Sequence, residues 1–188
     1  MRTLTHTHTL VVSARLLGVS MRLVSVGFVA LACGCGHTQR FQNNVYRDEQ
    51  ITLTLPPVPS EWRAISVTEA DLAFRDDARE ASVLFNGRCH RNDSDTPLVS
   101  LTNHLIIGTT EREIVSQDTI PFDGREALHT VMRAKLDGVK MVYDLYVMKK
   151  DGCVFDFVYV ADPATFDAGA PMFERFALAI HATALGEP

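Results

Sequence analysis

Between Glu126 and Ala161 the chain alternates side chains at a period of two, broken by Asp137-Gly138 and Asp151-Gly152. A period of two belongs to strands, and Asp-Gly is the two-residue signal for the type I′ turn that joins antiparallel neighbours. Three consecutive strands follow. Counting back from the turns places Leu128, Thr130, Met132, Ala134 and Leu136 opposite Val147, Leu145, Tyr143, Met141 and Val139. Val154, Val158 and Val160 join that face from the third strand, so one register serves both hairpins. The other face opens with His129, Arg133 and Lys135, then carries Val142, Tyr146, Met148, Phe155, Phe157 and Tyr159. A sheet apolar on both faces needs cover on both.

Upstream, Val45-Tyr46 and Ile51 to Leu55 pattern as a short hairpin, ended by Pro56-Pro57 and Pro59 because proline cannot donate to a ladder. Trp62 to Val67 reads as a strand, and Leu72 to Arg75 with Glu80 to Asn86 as a hairpin about Asp76-Asp77. Thr96-Pro97 suits a helix start, with Thr96 or Asp95 as cap and proline at the first helical position. Leu98, Leu101 and Leu105 follow at helical spacing, Ile106 widens the stripe, and Gly108 suits its stop. A strand from Arg112 to Ile120 precedes the central triplet. Phe173, Phe176, Ala177 and Ile180 form the stripe of a closing helix, and Pro163 and Pro171 each suit a helix start, which makes 163–167 a candidate separate turn. The expected class is α+β, a mainly antiparallel sheet of about six or seven strands with helices to cover it, preceded by a signal segment.

The amino-terminal segment states an address. After Arg22, Leu23 to Ala32 is an apolar run, followed by Cys33-Gly34. A basic region, an apolar core and a small residue before a cut describe a secretory signal. Ala30-Leu31-Ala32-Cys33 resembles a bacterial lipobox, which would make Cys33 the diacylated first residue of the mature protein and a lipid bilayer its partner. Ala30 stands where a larger aliphatic residue is commoner, and Cys35 is a second, poorer site. Arg22 interrupts the apolar core, so either the signal is long or translation starts near Met21, the preferred alternative. A plain cleaved signal and an uncleaved anchor remain open. The fourteen uncharged residues between Arg22 and His37 fall short of the roughly 20 that a spanning helix needs. The expected organisation is a signal peptide over 1–32, a lipidated tether over 33–44 and one domain over 45–188. Gly34 rather than Asp after Cys33 favours the outer membrane over the inner one in lipoproteins of this resemblance.

Charge narrows the partners. The 188 residues carry 18 basic and 23 acidic side chains, for a net charge of −5. Arg2, Arg15 and Arg22 all precede the expected cut and no acid does, leaving 15 basic against 23 acidic, or −8. Such a domain offers little to a polyphosphate backbone, and a nucleic-acid partner is not expected.

Taken in order, the elements resemble a known family. An opening strand ends in proline (Ile51 to Pro57), and Trp62 and a strand ending Phe74-Arg75-Asp76 lead to a middle helix. A strand with Gly124-Arg125-Glu126-Ala127, two long hairpins and an aromatic C-terminal helix complete the pattern. Over about Tyr46 to Ala184 this is similar to the PsbP-like family, which includes bacterial envelope lipoproteins of the DcrB type. The resemblance implies an α/β/α sandwich and small accessory or binding subunits. It implies no common enzymatic activity and no functional residue to carry over, and no cofactor is expected.

The candidate chemistry is sparse. Cys89 ends one expected strand and Cys153 opens another, so in an oxidising compartment a disulfide between them competes with two half-buried thiols. Cys89-His90 makes a poor catalytic pair, since neighbours on a strand point to opposite faces. His104 is expected on the middle helix, His129 on a sheet face and His181 on the last helix, with no acidic partner nearby. Asn92-Asp93-Ser94-Asp95 reads as a helix-cap turn, because it lacks the glycine and distant glutamate of a calcium loop. Asp144 and Asp156 are the odd carboxylates, each alone in an apolar strand. Asp144 could meet Arg133 diagonally, and Asp156 needs a buried partner or a bulge. Neither zinc-ligand spacing nor a nucleotide or nucleophile fingerprint occurs in the chain.

The leading expectation is therefore a non-enzymatic, membrane-tethered binding or accessory domain acting on another envelope protein. The alternative is a carrier or sensor of a small apolar ligand in a pocket formed by Asp144, Asp156, Tyr146, Phe157 and Tyr159, with Phe155 beside them. An envelope hydrolase would need a clustered nucleophile and base.

Overall fold

In the computed structural model, residues 40–90 and 95–185 are described; the chain divides into 1–37 and 38–188, and every described residue lies in the second unit. Cys33, Cys35, the signal peptide and Asn92-Asp93-Ser94 therefore lie outside the described residues.

Three Asp-Gly pairs organise the sheet. Asp123-Gly124, Asp137-Gly138 and Asp151-Gly152 all have positive φ at both positions, as a type I′ turn requires. They join β7 (Thr109–Phe122), β8 (Arg125–Leu136), β9 (Val139–Lys150) and β10 (Cys153–Ala161) into one meander. Leu128, Thr130, Met132, Ala134 and Leu136 pair with Val147, Leu145, Tyr143, Met141 and Val139. Three further strands, β4 (Trp62–Ile65), β5 (Leu72–Asp76) and β6 (Ala81–Arg88), complete a seven-stranded antiparallel sheet in the order β4-β5-β6-β10-β9-β8-β7. The edge strand β7 is 14 residues long, with register shifts between Thr110 and Glu113 and between Ile114 and Ser116. Such bulges twist an exposed edge away from further pairing.

The expected hairpin of Val45-Tyr46 with Ile51 to Leu55 forms, but as the middle of a second, four-stranded sheet that the sequence pattern does not announce. β1 (Phe41–Gln42), β2 (Val45–Arg47) and β3 (Ile51–Thr54) are joined at the far side by β11 (His181–Ala184), in the order β1-β2-β3-β11. The end of the expected tether thus belongs to the fold: Phe41 pairs with Tyr46 across a turn in which Asn43 and Asn44 both have positive φ. His181 is corrected from the last helix to β11, because the chain turns at Leu178 to Ile180 and pairs His181 with Thr54.

Two helices cover the large sheet. α1 (Leu98–Leu105) begins one residue later than expected, with Pro97 extended at the cap (ψ 145°) and no side-chain cap bond, so Thr96 is not the cap. Leu101 packs with Val147 and Val154, and Ile106 with Met132, Tyr143, Leu145 and Val158. α2 (Phe166–Ala177) runs through Pro171 as one helix, and 163–167 is not a separate element. Pro171 has no N–H for the Asp167 carbonyl, but it is exposed, where water can serve that oxygen. Phe166, Gly169, Phe173, Phe176 and Ala177 form its buried stripe. They share the main core with Phe85, Phe122, Tyr146, Phe155, Phe157 and Tyr159, and with Ile51, Leu53 and Ala182 of the small sheet. The architecture is α+β, with α1 on one face and α2 plus the small sheet on the other. Each fully buried aromatic or aliphatic side chain there is worth on the order of 2 kcal/mol in transfer free energy.

Candidate functional site

The face under α2 carries Tyr146, Phe157 and Tyr159, and all three are buried among other rings. Phe157 stacks on Phe122 (centroids 5.2 Å apart), Tyr159 stacks on Phe173 (5.5 Å), and Tyr146 lies 5.8 Å from Phe173. Phe155 is equally buried. These rings fill the space that an apolar ligand would occupy. Burial pushes the Tyr159 phenol up to about 12, helped by the Asp76 charge, and pushes the Tyr146 phenol up strongly.

At the margin of this face Asp144 is 4% exposed and meets His129, not Arg133. The His129 Nε2 to Asp144 Oδ1 distance is 2.7 Å, and the imidazole stacks flat on Tyr146 with centroids 4.3 Å apart. Arg133 instead lies 3.4 Å from Glu113 on the exposed hairpin. Register explains the choice. His129 is directly opposite Tyr146, so Asp144 is its diagonal neighbour on the same face. Arg133 is opposite Val142, also diagonal to Asp144, but on the solvent side. Burial raises the Asp144 carboxyl above its ordinary value and Glu174 adds to the rise, while the His129 bond and charge pull it back. A His–Asp pair can orient a base, yet the hydrogen bonds of His129 end at Asp144 and bring no nucleophile to it.

Asp156 lies on the opposite face, 1% exposed, with Oδ2 2.7 Å from Arg88 Nη1. An ion pair with the half-buried Arg88, not a bulge, therefore accommodates it. The candidate pocket residues are accordingly divided between the two faces of the sheet, with Asp156 under α1 and the others under α2.

His181 also has an acidic partner. Asp123 Oδ1 lies 2.8 Å from its Nδ1, while Asp123 Oδ2 accepts from Lys150 Nζ (2.7 Å) and from the Ala182 amide (2.8 Å). Burial alone would raise this carboxyl, but those donors outweigh it and hold it below its ordinary value. The carboxylate thereby ties the β7–β8 turn to β9 and to the small sheet. Sequence reasoning missed it, although Asp123-Gly124 carries the same turn signal as the other two pairs.

Beside this node, Cys89 and Cys153 form a disulfide with Cα atoms 4.0 Å apart. The ladder explains the pairing: Arg88 is opposite Val154, so the next pair outward is Cys89 and Cys153. Cys153 also helps to line a cleft of about 270 Å³ at the β9–β10 turn. Arg125, Lys149 and Lys150 line the cleft, with Asp151, Gly152 and Val154 completing the wall. Arg125 Nη2 donates to Asp151 (3.1 Å), and Lys149 Nζ to the Thr96 carbonyl (2.9 Å). Sequence reasoning did not assemble this cleft either, because its walls come from three strands and a turn. Among the described residues no group of three or more His, Cys, Asp or Glu is placed to hold a metal ion. No helix among them is long and apolar enough to cross a membrane.

No family model matches the chain, and no curated protein matches it. Solved structures do. The chain is similar to LpqN, involved in cell envelope biogenesis of Mycobacterium tuberculosis, at TM-score 0.51 and 12% identity over 72% of this chain and 86% of that one. It is similar to a protein from Bacteroides thetaiotaomicron at TM-score 0.50 and 10% identity, over 73% of this chain and 46% of that one. Cyanobacterial PsbP (CyanoP) from Synechocystis sp. PCC 6803 matches at TM-score 0.49 and 15% identity, over 73% and 95%. At these identities the likeness is one of fold.

Proposed function

We propose that this protein is a lipid-anchored, non-enzymatic accessory or binding domain of the bacterial cell envelope, of the PsbP-like type that includes the DcrB lipoproteins. The observation that carries the reading is Ala30-Leu31-Ala32-Cys33 at the end of an apolar run. The fold agrees with it, since LpqN, a protein of envelope biogenesis, has a similar one. On this reading Cys33 bears the acyl chains, two of which give stable anchoring where one is marginal. The outer membrane is the address that Gly34 favours, and the partner is another envelope protein. The accessory reading is preferred to a carrier of an apolar ligand because Tyr146, Phe157 and Tyr159 pack on one another and on α2.

The test is fatty-acid labelling of the full chain in a bacterial host beside a Cys33→Ser variant. Label on the wild type and none on the variant is the expected result. Equal labelling of both, or of neither, would overturn the anchor.

A further inference from the structure

We propose that the end of the domain formed by the β8–β9 turn and the close of α1 lies on a lipid bilayer, a second, non-covalent contact beside the anchor at Cys33. Leu136 and Val139 are partners across that turn, and Thr109 of β7 pairs with Leu136 on its other side. Alternation puts Leu136 on the side of β8 that carries Met132 and Ala134, the side under α1, and Ile114 is opposite Met132 there. The cover stops short. The 8 residues of α1 reach about 12 Å and the 12 of β8 about 40 Å, and the helix gives out at Ile106, on Met132 and Tyr143. Beyond it Leu136, Val139 and Ile114, with Ile107 in the turn that ends α1, are between 43% and 67% exposed.

Area and charge select the occupant. These four side chains leave on the order of 400 Å² of apolar surface open, about half of what each partner of a stable protein complex buries. A fluid surface needs neither that area nor a matching shape, since aliphatic tips enter it one by one. At this end Arg112, Arg133, Lys135 and Lys140 outnumber Glu111, Glu113 and Asp137, on a chain whose net charge is −5. Lys135 is paired with Glu111 and Arg133 with Glu113. Arg112 donates to the Ile106 and Thr109 carbonyls and to the Thr109 hydroxyl. Among the described residues that leaves two cations, Arg112 and Lys140, and one acid, Asp137, outside ion pairs. Lys135 and Lys140 are partners on the other side of the hairpin, so the arm is apolar on one side and basic on the other. Such an arm rests in the interfacial plane, with lysine stems reaching to the phosphates. The anchor, on the reading proposed above, makes a weak contact sufficient: from Cys33 to Arg40 the chain spans at most about 25 Å, so the second contact forms within one molecule.

The chain holds one tryptophan, Trp62, which is buried, so an added indole reports its own surroundings. The test is emission from full-chain Val139→Trp, Ile107→Trp and Leu178→Trp variants on phosphatidylethanolamine–phosphatidylglycerol vesicles, with and without bromine on the acyl chains. Bromine there quenches an indole that enters the hydrocarbon. At saturating lipid, about twofold quenching or more is expected at 139 and 107. None is expected at 178, which is comparably exposed but caps α2 on the other face. No quenching at 139, or equal quenching at 178, would overturn the surface. A concentration-dependent dimer in sedimentation, lost when Leu136→Ser is combined with Val139→Ser, would give the face to a second copy and also overturn it. The difference between 139 and 178 is expected to persist in the Cys33→Ser chain, so loss of the anchor and loss of the surface are read separately.

Discussion

His129 Nε2 and Asp144 Oδ1 are 2.7 Å apart, joined diagonally across β8 and β9 over a Tyr146 ring that stacks flat against the imidazole. The carboxylate side chain is 6% exposed and the imidazole 22%, so the histidine is what stands between a buried charge and an apolar core. His129→Leu removes that donor while keeping bulk, and should cost about 2–3 kcal/mol in denaturant unfolding, the cost of leaving a charged group unsatisfied. His129→Gln can still donate and should cost less. A His129→Leu midpoint equal to wild type would show that the pair contributes nothing to stability.

Two carboxylates should give opposite signs in an acid titration of stability. The Asp123 value is lowered in the fold, so its contribution is present above the ordinary carboxylate range and lost as pH falls through its folded value. The Asp144 value is raised by burial, so its contribution is present below that range and lost as pH rises through its folded value. Asp123→Asn keeps a residue type tolerant of the positive φ and one accepting oxygen, but removes the charge that Lys150 meets. Stability measured from pH 6 down to 2 should fall less steeply in Asp123→Asn than in wild type. In Asp144→Asn the acid loss should be steeper. Parallel curves for all three proteins would contradict both assignments.

The disulfide should be worth more than any single ion pair here. Cys89 and Cys153 are 64 residues apart, and closing a loop of that length removes about 4 kcal/mol of chain entropy from the unfolded state, before any strain is subtracted. Cys89→Ser with Cys153→Ser should lower the unfolding midpoint by several degrees and abolish the effect of reductant on it. A wild-type midpoint insensitive to reductant would leave the bridge without a stabilising role.

How much of this was legible in the sequence depends on the reach of each signal. The register of β8, β9 and β10 was readable because two Asp-Gly turns pin it and every second residue repeats the constraint. The Asp144 partner was not. Arg133 and His129 are both diagonal neighbours by count, and burial of Tyr146, a tertiary fact, selects the one that can stack. Ile180 misled for a related reason: its spacing continues the α2 stripe, and it is indeed buried, but through a turn that hands the chain to β11. The small sheet pairs β3 with β11, segments far apart in sequence, and strands of two to four residues carry little periodicity. The cleft at the β9–β10 turn is a meeting of strand ends that no local pattern announces.

Gly169 offers a test in which the expected sign is reversed. In an ordinary exposed helix, Gly→Ala stabilises by about 1 kcal/mol. In α2 a Cβ at position 169 would collide with the Tyr159 hydroxyl and come within 2.9 Å of its ring carbon and 3.1 Å of the Arg79 side chain. Tyr159 is stacked on Phe173 and 1% exposed, so it has nowhere to retreat. Gly169→Ala should therefore destabilise, by about 1–3 kcal/mol as overpacking does. The same hydroxyl is buried without a hydrogen-bond partner, which makes Tyr159→Phe neutral or mildly stabilising by itself. Combining the two removes the worst contact but leaves the ring, so the double variant should recover part of the loss and not all of it. Thermal unfolding of the three proteins decides the matter: a stabilised Gly169→Ala would mean that α2 sits further from β10 than this packing places it.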